Sequence, residues 1–137
     1  MAADPVLLCD TNVVSILLKV GTVHDARKQR IRAELSGNIA AVSFVTVAEL
    51  LYWAECHSWG AARKSELDRR LRSFAILDPT RATAEHWANI KNECRKSGDV
   101  VSENDLWIAA AAREYGIKLA TADGAFDSVP GIATLSL

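Results

Sequence analysis

The chain has few cysteines, no apolar run long enough for a membrane and almost no net charge, and each shortage excludes a class of protein. Its three cysteines, Cys9, Cys56 and Cys94, are odd in number and contain no C-x-x-C pair. Neither a disulfide framework nor a zinc ribbon is therefore expected, and a cytoplasmic, reducing location is. The greasiest stretch, Ile39 to Ala54, is sixteen residues long and carries Glu49, short of the ~20 residues a spanning helix needs. The opening residues Met1-Ala2-Ala3-Asp4-Pro5 lack a basic segment, and the apolar run behind them stops at Asp10, so no secretory signal is expected. Sixteen Lys and Arg against seventeen Asp and Glu give a formal net charge of −1, which argues against a protein that coats nucleic acid by charge alone. Also missing are G-x-G-x-x-G, G-x-x-x-x-G-K-[ST] and G-x-S-x-G, and with them the mechanical parts of dinucleotide, P-loop and hydrolase-elbow sites.

With 137 residues, 50% of them apolar and 24% charged, the chain is expected to form a single domain over residues 1–137 with a core that needs no covalent staple. Val6-Leu7-Leu8-Cys9, ended by Asp10-Thr11-Asn12, reads as a strand buried on both faces and followed by a helix cap. A helix to about Lys19 follows. A charged segment from Val23 to Leu35 reads as an exposed helix, and Ile39 to Phe44 as a strand. Val47, Leu50, Leu51 and Ala54 then recur at helical spacing and place Glu49 on the second turn of a mostly buried helix. Further helices are expected over Ala61 to Phe74, Arg81 to Ser97 and the alanine-rich run Leu106 to Ala112, with strands at Ala75 to Leu77, Ile117 to Thr121 and Ile132 to Leu135. Strands alternating with helices imply an α/β fold with a mainly parallel sheet and helices on both faces. In such sheets ligands bind beyond the carboxyl ends of the strands, where Asp10 and Asp123 fall.

Each acidic residue has an ordinary structural explanation: Asp10 as a helix N-cap, Glu49 on an exposed helix edge, Asp105 as a favourable charge at a helix N-terminus, Asp123 as a turn residue before Gly124. Yet all four lie where a buried apolar element meets the sheet edge. Carboxylates gathered without basic partners repel one another, and a hard divalent cation such as Mg²⁺ or Mn²⁺ is the usual reason to tolerate it. His24, His57 and His86 show no ligand spacing for zinc.

The segments Leu8-Cys9-Asp10-Thr11-Asn12, Ser43-Phe44-Val45-Thr46-Val47-Ala48-Glu49-Leu50, Asn104-Asp105-Leu106-Trp107-Ile108-Ala109-Ala110 and Leu119-Ala120-Thr121-Ala122-Asp123-Gly124-Ala125-Phe126 together resemble the four motifs of the PIN-domain ribonucleases. Their order and spacing are similar to those of the VapC-type toxins of toxin–antitoxin pairs. The resemblance implies a PIN-like three-layer fold and a Mg²⁺-dependent endoribonuclease in which Mn²⁺ substitutes. It implies RNA as substrate, a small antitoxin as partner, a homodimer, and products carrying a 5′-phosphate and a 3′-hydroxyl. By the same resemblance Asp10, Glu49, Asp105 and Asp123 form the acidic metal-binding set, with Thr11, Asn12 and Thr121 as supporting polar groups and Thr121 counted among the catalytic residues. The pattern is broken by Trp53 where many relatives have glycine, by Asn104 before Asp105, and by Ala125 where an acid often precedes Phe126.

Two segments are locally basic: four cations against Asp25 between His24 and Arg32, and five against Glu66 and Asp68 between Ala61 and Arg72. These are candidate phosphate contacts, or solvated helix faces. Trp53, Trp59, Trp87 and Trp107 read mainly as core or interface, with RNA stacking open for Trp59. Two other classes stay in view. A receiver-type phosphoacceptor would use Asp10 and Asp78 but normally wants paired acids at its first strand. A PIN-like fold kept only for binding would differ from the enzyme in an activity assay.

Overall fold

A computed structural model describes residues 5–18, 26–122 and 124–137. In chain order it contains β1 (Val6–Cys9), α1 (Thr11–Leu18), α2 (Ala26–Leu35), β2 (Ile39–Ser43), α3 (Phe44–Cys56), α4 (Ala61–Leu71), β3 (Ala75–Leu77), α5 (Arg81–Ser97), α6 (Glu103–Tyr115), β4 (Lys118–Thr121) and β5 (Thr134–Ser136). The sheet runs β3-β2-β1-β4-β5, and every neighbouring pair is parallel. From β1 the chain builds outward through β2 to β3, then returns to the other side of β1 with β4. The order therefore reverses beside β1, which makes the carboxyl end of that strand the natural ligand crevice.

Alternation along the central strands sorts the core into two layers. Leu8, Ala41 and Leu119 pack with Ile90, Cys94 and the apolar face of α6, while Cys9, Val42 and Ala120 pack with Val13, Val14, Ile31, Leu50 and Leu67 from the four helices α1 to α4. Because successive strand residues point to opposite faces, both sets are buried, and the strands read as continuous apolar runs. The result is the expected three-layer arrangement, with α5 and α6 on one face of the sheet and α1 to α4 on the other. The alanines Ala109 to Ala112 are all buried, which lets α6 lie close to the sheet. Gly98 and Gly116 end α5 and α6 with φ of 80° and 62°, a left-handed conformation that costs glycine no Cβ clash.

Several boundaries differ from the sequence reading for local reasons. Phe44 belongs to α3, because the Ser43 hydroxyl accepts from the Val45 amide and caps the helix one residue earlier. The helix expected to Phe74 ends at Leu71, and the last strand is Thr134–Ser136. α3 is not mostly buried: beyond Leu50 only Ala54 is enclosed, and Leu51, Tyr52 and Trp53 are exposed. α2 is not simply a solvated helix either. Ile31 is fully buried, and Arg27 and Arg30 donate to backbone carbonyls at the far end of the chain, Arg27 to Ala122 and Leu137, Arg30 to Ser136. The expected start at Val23 lies outside the described residues.

Candidate metal and active site

Asp10 follows β1 directly and is 3% exposed. Its Oδ1 accepts from the Val13 amide at 2.9 Å, the N-cap bond expected of an aspartate before α1. Its Oδ2 accepts from Thr121 Oγ1 at 2.7 Å. That second bond exists because β4 pairs with β1 and the Asp10 amide donates to Ala120 O at 3.0 Å, which leaves Thr121 beside the carboxylate. Capping and site-building are thus performed by the same side chain. Thr121 is completely buried and is not among the residues lining the cavity; it reaches the site through its bond to Asp10. The charge of Asp10 is felt in the core: burial first, and the neighbouring carboxylate second, push the Cys9 thiol up to about 12.

Glu49 comes from the second turn of α3. Its Oε1 accepts from Thr11 Oγ1 at 2.9 Å, and Thr11 Oγ1 lies 3.0 Å from Thr46 Oγ1. A carboxylate can only accept, so the single Thr11 proton goes to Glu49 and Thr46 donates to Thr11. This hydroxyl relay joins the start of α1 to α3. Thr46 is fully buried; its role depends on a tertiary contact and has no signal in the sequence beyond a hydroxyl among apolar neighbours.

Asp105 occupies the first turn of α6, where its amide donates to the Ser102 hydroxyl at 3.2 Å. Asp10, Glu49 and Asp105 all line one cavity of about 430 Å³, together with the amides of Asn12 and Asn104. The cavity is also lined by Tyr52, Trp53, Cys56 and His57, none of which the sequence placed at the site. Cys56 Sγ lies 3.3 Å from His57 Nδ1.

Asp123 lies outside the described residues. Among the described residues no three His, Cys, Asp or Glu side chains converge closely enough to hold an ion, and the three described carboxylates of the expected acidic pocket line a common cavity. Asp10 is held by Val13 and Thr121 and Glu49 by Thr11. The donor set still fits a hard cation. Every nearby protein donor at the acidic end is a carboxylate, amide or hydroxyl oxygen, and Mg²⁺ keeps several of its waters and asks only one or two carboxylates of a protein.

Several cations of the basic segments have partners within the protein. Arg27 and Arg30 are used on backbone carbonyls as described. On α4, Arg69 and Arg70 pair with Glu66, Arg72 with Asp68, Lys64 with Glu55, and Arg63 lies over the Trp59 ring at 3.9 Å. Asp78 follows β3, two strands away from β1, which removes the geometry a receiver-type site needs.

Residues 7–132 match the PIN domain family model. The chain is a member of the PIN domain family. It is 35% identical over 114 residues to ribonuclease VapC2 of Haemophilus influenzae, covering 82% of each chain. It is 27% identical over 128 residues to the tRNA(fMet)-specific endonuclease VapC of Shigella flexneri, covering 93% of this chain and 94% of that one. Among solved structures, DNA-bound VapBC from Salmonella typhimurium aligns with a TM-score of 0.81 and 25% identity over 96% of this chain and 98% of the other. The PIN match begins and ends around the outermost motifs read from the sequence.

Proposed function

We propose that this PIN-domain protein is a metal-dependent endoribonuclease that hydrolyses RNA phosphodiester bonds as the toxin of a toxin–antitoxin pair. The observation that carries the reading is the convergence of Asp10, Glu49 and Asp105 on one cavity at the carboxyl end of β1 in a chain whose relatives include ribonucleases. Mg²⁺ is the proposed ion, with Mn²⁺ able to substitute. Asp10 and Asp105 would hold it, Glu49 would complete the acidic set from α3, and Asp123 is retained as a fourth ligand on the family resemblance. When bound, a divalent ion supplies an activated water and neutralises charge on the phosphate. The chain's own residues do the positioning. Thr121 fixes Asp10 Oδ2, Val13 fixes Oδ1, and the Thr46–Thr11 relay holds Glu49, so two of the three carboxylates are oriented before substrate arrives. Thr121 is a positioning residue in this scheme, buried behind Asp10.

The partner proposed is a small antitoxin that inserts an Arg or Lys among these carboxylates and competes with metal and substrate through charge-assisted hydrogen bonds. The Salmonella neighbour is itself a VapBC complex. A second copy of the chain, a single domain over residues 1–137 and a cytoplasmic location belong to the same proposal. The three free cysteines are consistent with that location, and among the described residues no helix is long and apolar enough to cross a membrane.

The test is cleavage of RNA by purified protein with Mg²⁺, with EDTA, and by Asp105→Asn, whose folding is checked by thermal melting. Cleavage that EDTA and the substitution both abolish supports the enzyme. A parent protein that binds RNA and the antitoxin yet never cleaves would assign the fold to binding alone.

A further inference from the structure

α3 continues for two turns past Glu49, and the face that carries the carboxylate into the cavity goes on as Tyr52, Trp53, Cys56 and His57, at i+3, i+4, i+7 and i+8. These are not core positions: Tyr52 is 70% and Trp53 48% exposed. The Trp53 and His57 rings are nonetheless stacked, with centroids 5.2 Å apart and planes 21° from parallel. His57 is pinned from behind, since its Nδ1 lies 3.0 Å from Trp53 O. A carbonyl only accepts, so Nδ1 carries the hydrogen and the imidazole is held flat against the indole. Trp53 stands about 6 Å along the helix axis from Glu49, within reach of a base attached to a phosphate held at the acidic end.

We propose that Trp53, backed by His57, is a stacking platform for one unpaired nucleobase next to the cleaved phosphate, and that it sets substrate affinity and register. The proposal rests on the RNA-cleaving reading above. A nucleotide matches both ends of the cavity at once: a phosphate for the carboxylate-bound cation and a π face for the indole. An apolar protein side chain seated here would bury the carboxylates without a partner, which is costly. Base–aromatic stacking is worth about 1–3 kcal/mol per base and tolerates any base.

The test is the anisotropy-measured affinity of fluorescein-labelled single-stranded RNA hexamers, in Ca²⁺, for the parent, Trp53→Ala and Trp53→Phe proteins. The hexamers form a series in which each nucleoside in turn is abasic. Trp53→Ala should weaken binding of the intact hexamer by about 5- to 150-fold. The loss should shrink to roughly nothing for the one hexamer that lacks the stacked base, and Trp53→Phe should keep most of the affinity. Trp53 is half exposed, so the variants should melt with the parent. No RNA binding by the parent, equal affinity of parent and Trp53→Ala, or the same loss against every abasic hexamer would overturn the platform. So would a change in sedimentation with RNA affinity intact, which would give this face to a second copy of the chain. The measurement needs no turnover, so a protein that binds this way but does not cleave would sink the enzymatic reading and leave the platform standing.

Discussion

Substituting Asp10 by alanine removes at once the acceptor of the Val13 amide and the acceptor of the Thr121 hydroxyl. Loss of an N-cap costs about 0.5–2 kcal/mol, and taking the carboxylate acceptor away from the fully buried Thr121 hydroxyl about 1–3 kcal/mol more. Removing a carboxylate from a site only 3% exposed gives some of this back, so a net loss of about 2–3 kcal/mol is expected. For 137 residues at about 2.1 cal/mol/K of unfolding entropy per residue, that lowers Tm by roughly 7–10 °C. Asp10→Asn is different. Its Oδ1 still caps α1, and the Thr121 hydroxyl can rotate to accept from the new amide, so the loss should stay within about 1 kcal/mol, or roughly 4 °C. The assay is thermal unfolding in EDTA at neutral pH, repeated with Mg²⁺. An ion at ten times its Kd adds about 1.4 kcal/mol to a protein that binds it only when folded, and the parent should gain this while Asp10→Asn gains less. If Asp10→Ala melts with the parent, or Asp10→Asn falls as far as Asp10→Ala, the two-bond account of this residue is wrong.

The native protein should react with a thiol reagent at Cys56 first: Cys56 is exposed, whereas Cys9 is enclosed and pushed up to about 12, and the Cys94 thiol is raised by burial; rapid labelling of Cys9 before unfolding would contradict the packing of β1. Thr11→Val strips Glu49 of its donor and leaves the buried Thr46 hydroxyl unpaired, so it should cost about 1–3 kcal/mol and raise the Mg²⁺ concentration needed for half-maximal cleavage; an unchanged metal requirement would separate Glu49 from the metal. Hydrogen bonds from Arg69 and then Arg70 lower the Glu66 carboxyl to about 2, so its small, solvent-screened contribution is present above the ordinary carboxylate range and lost as pH falls through that range towards 2. The difference in urea midpoint between parent and Glu66→Gln should therefore close between pH 4.5 and pH 2, and a gap that widens on acidification would reverse the sign.

Most of the architecture was legible because burial on both faces of a parallel sheet writes itself as uninterrupted apolar runs. Val6-Leu7-Leu8-Cys9 and the alanines of α6 can hardly be read otherwise. Asp10 and Asp105 were legible because a strand end and a helix first turn fix where a side chain emerges. What escaped depends on contacts between distant segments. Thr46 meets Thr11 across 35 residues, and Arg27 reaches Ala122 across 95, so neither contact leaves a local pattern in the sequence. Trp53 escaped for another reason: Ile39 to Ala54 is so continuously apolar that its pattern does not show where α3 turns its face from the core to the cavity. The acids at the sheet edge suggested one acidic pocket, but the threonine hydroxyls that hold Glu49 and Asp10 could not be found by counting carboxylates.

If this cavity hydrolyses RNA with a metal-activated water, the chemistry of the product ends reveals it. A single RNA oligonucleotide digested by the parent protein in Mg²⁺ and resolved by mass spectrometry should yield a 5′-phosphate on one fragment and a 3′-hydroxyl on the other, because an external water attacks phosphorus and the 3′ oxygen leaves. A 2′,3′-cyclic phosphate, which forms when the substrate's own 2′-hydroxyl attacks instead, would contradict the account.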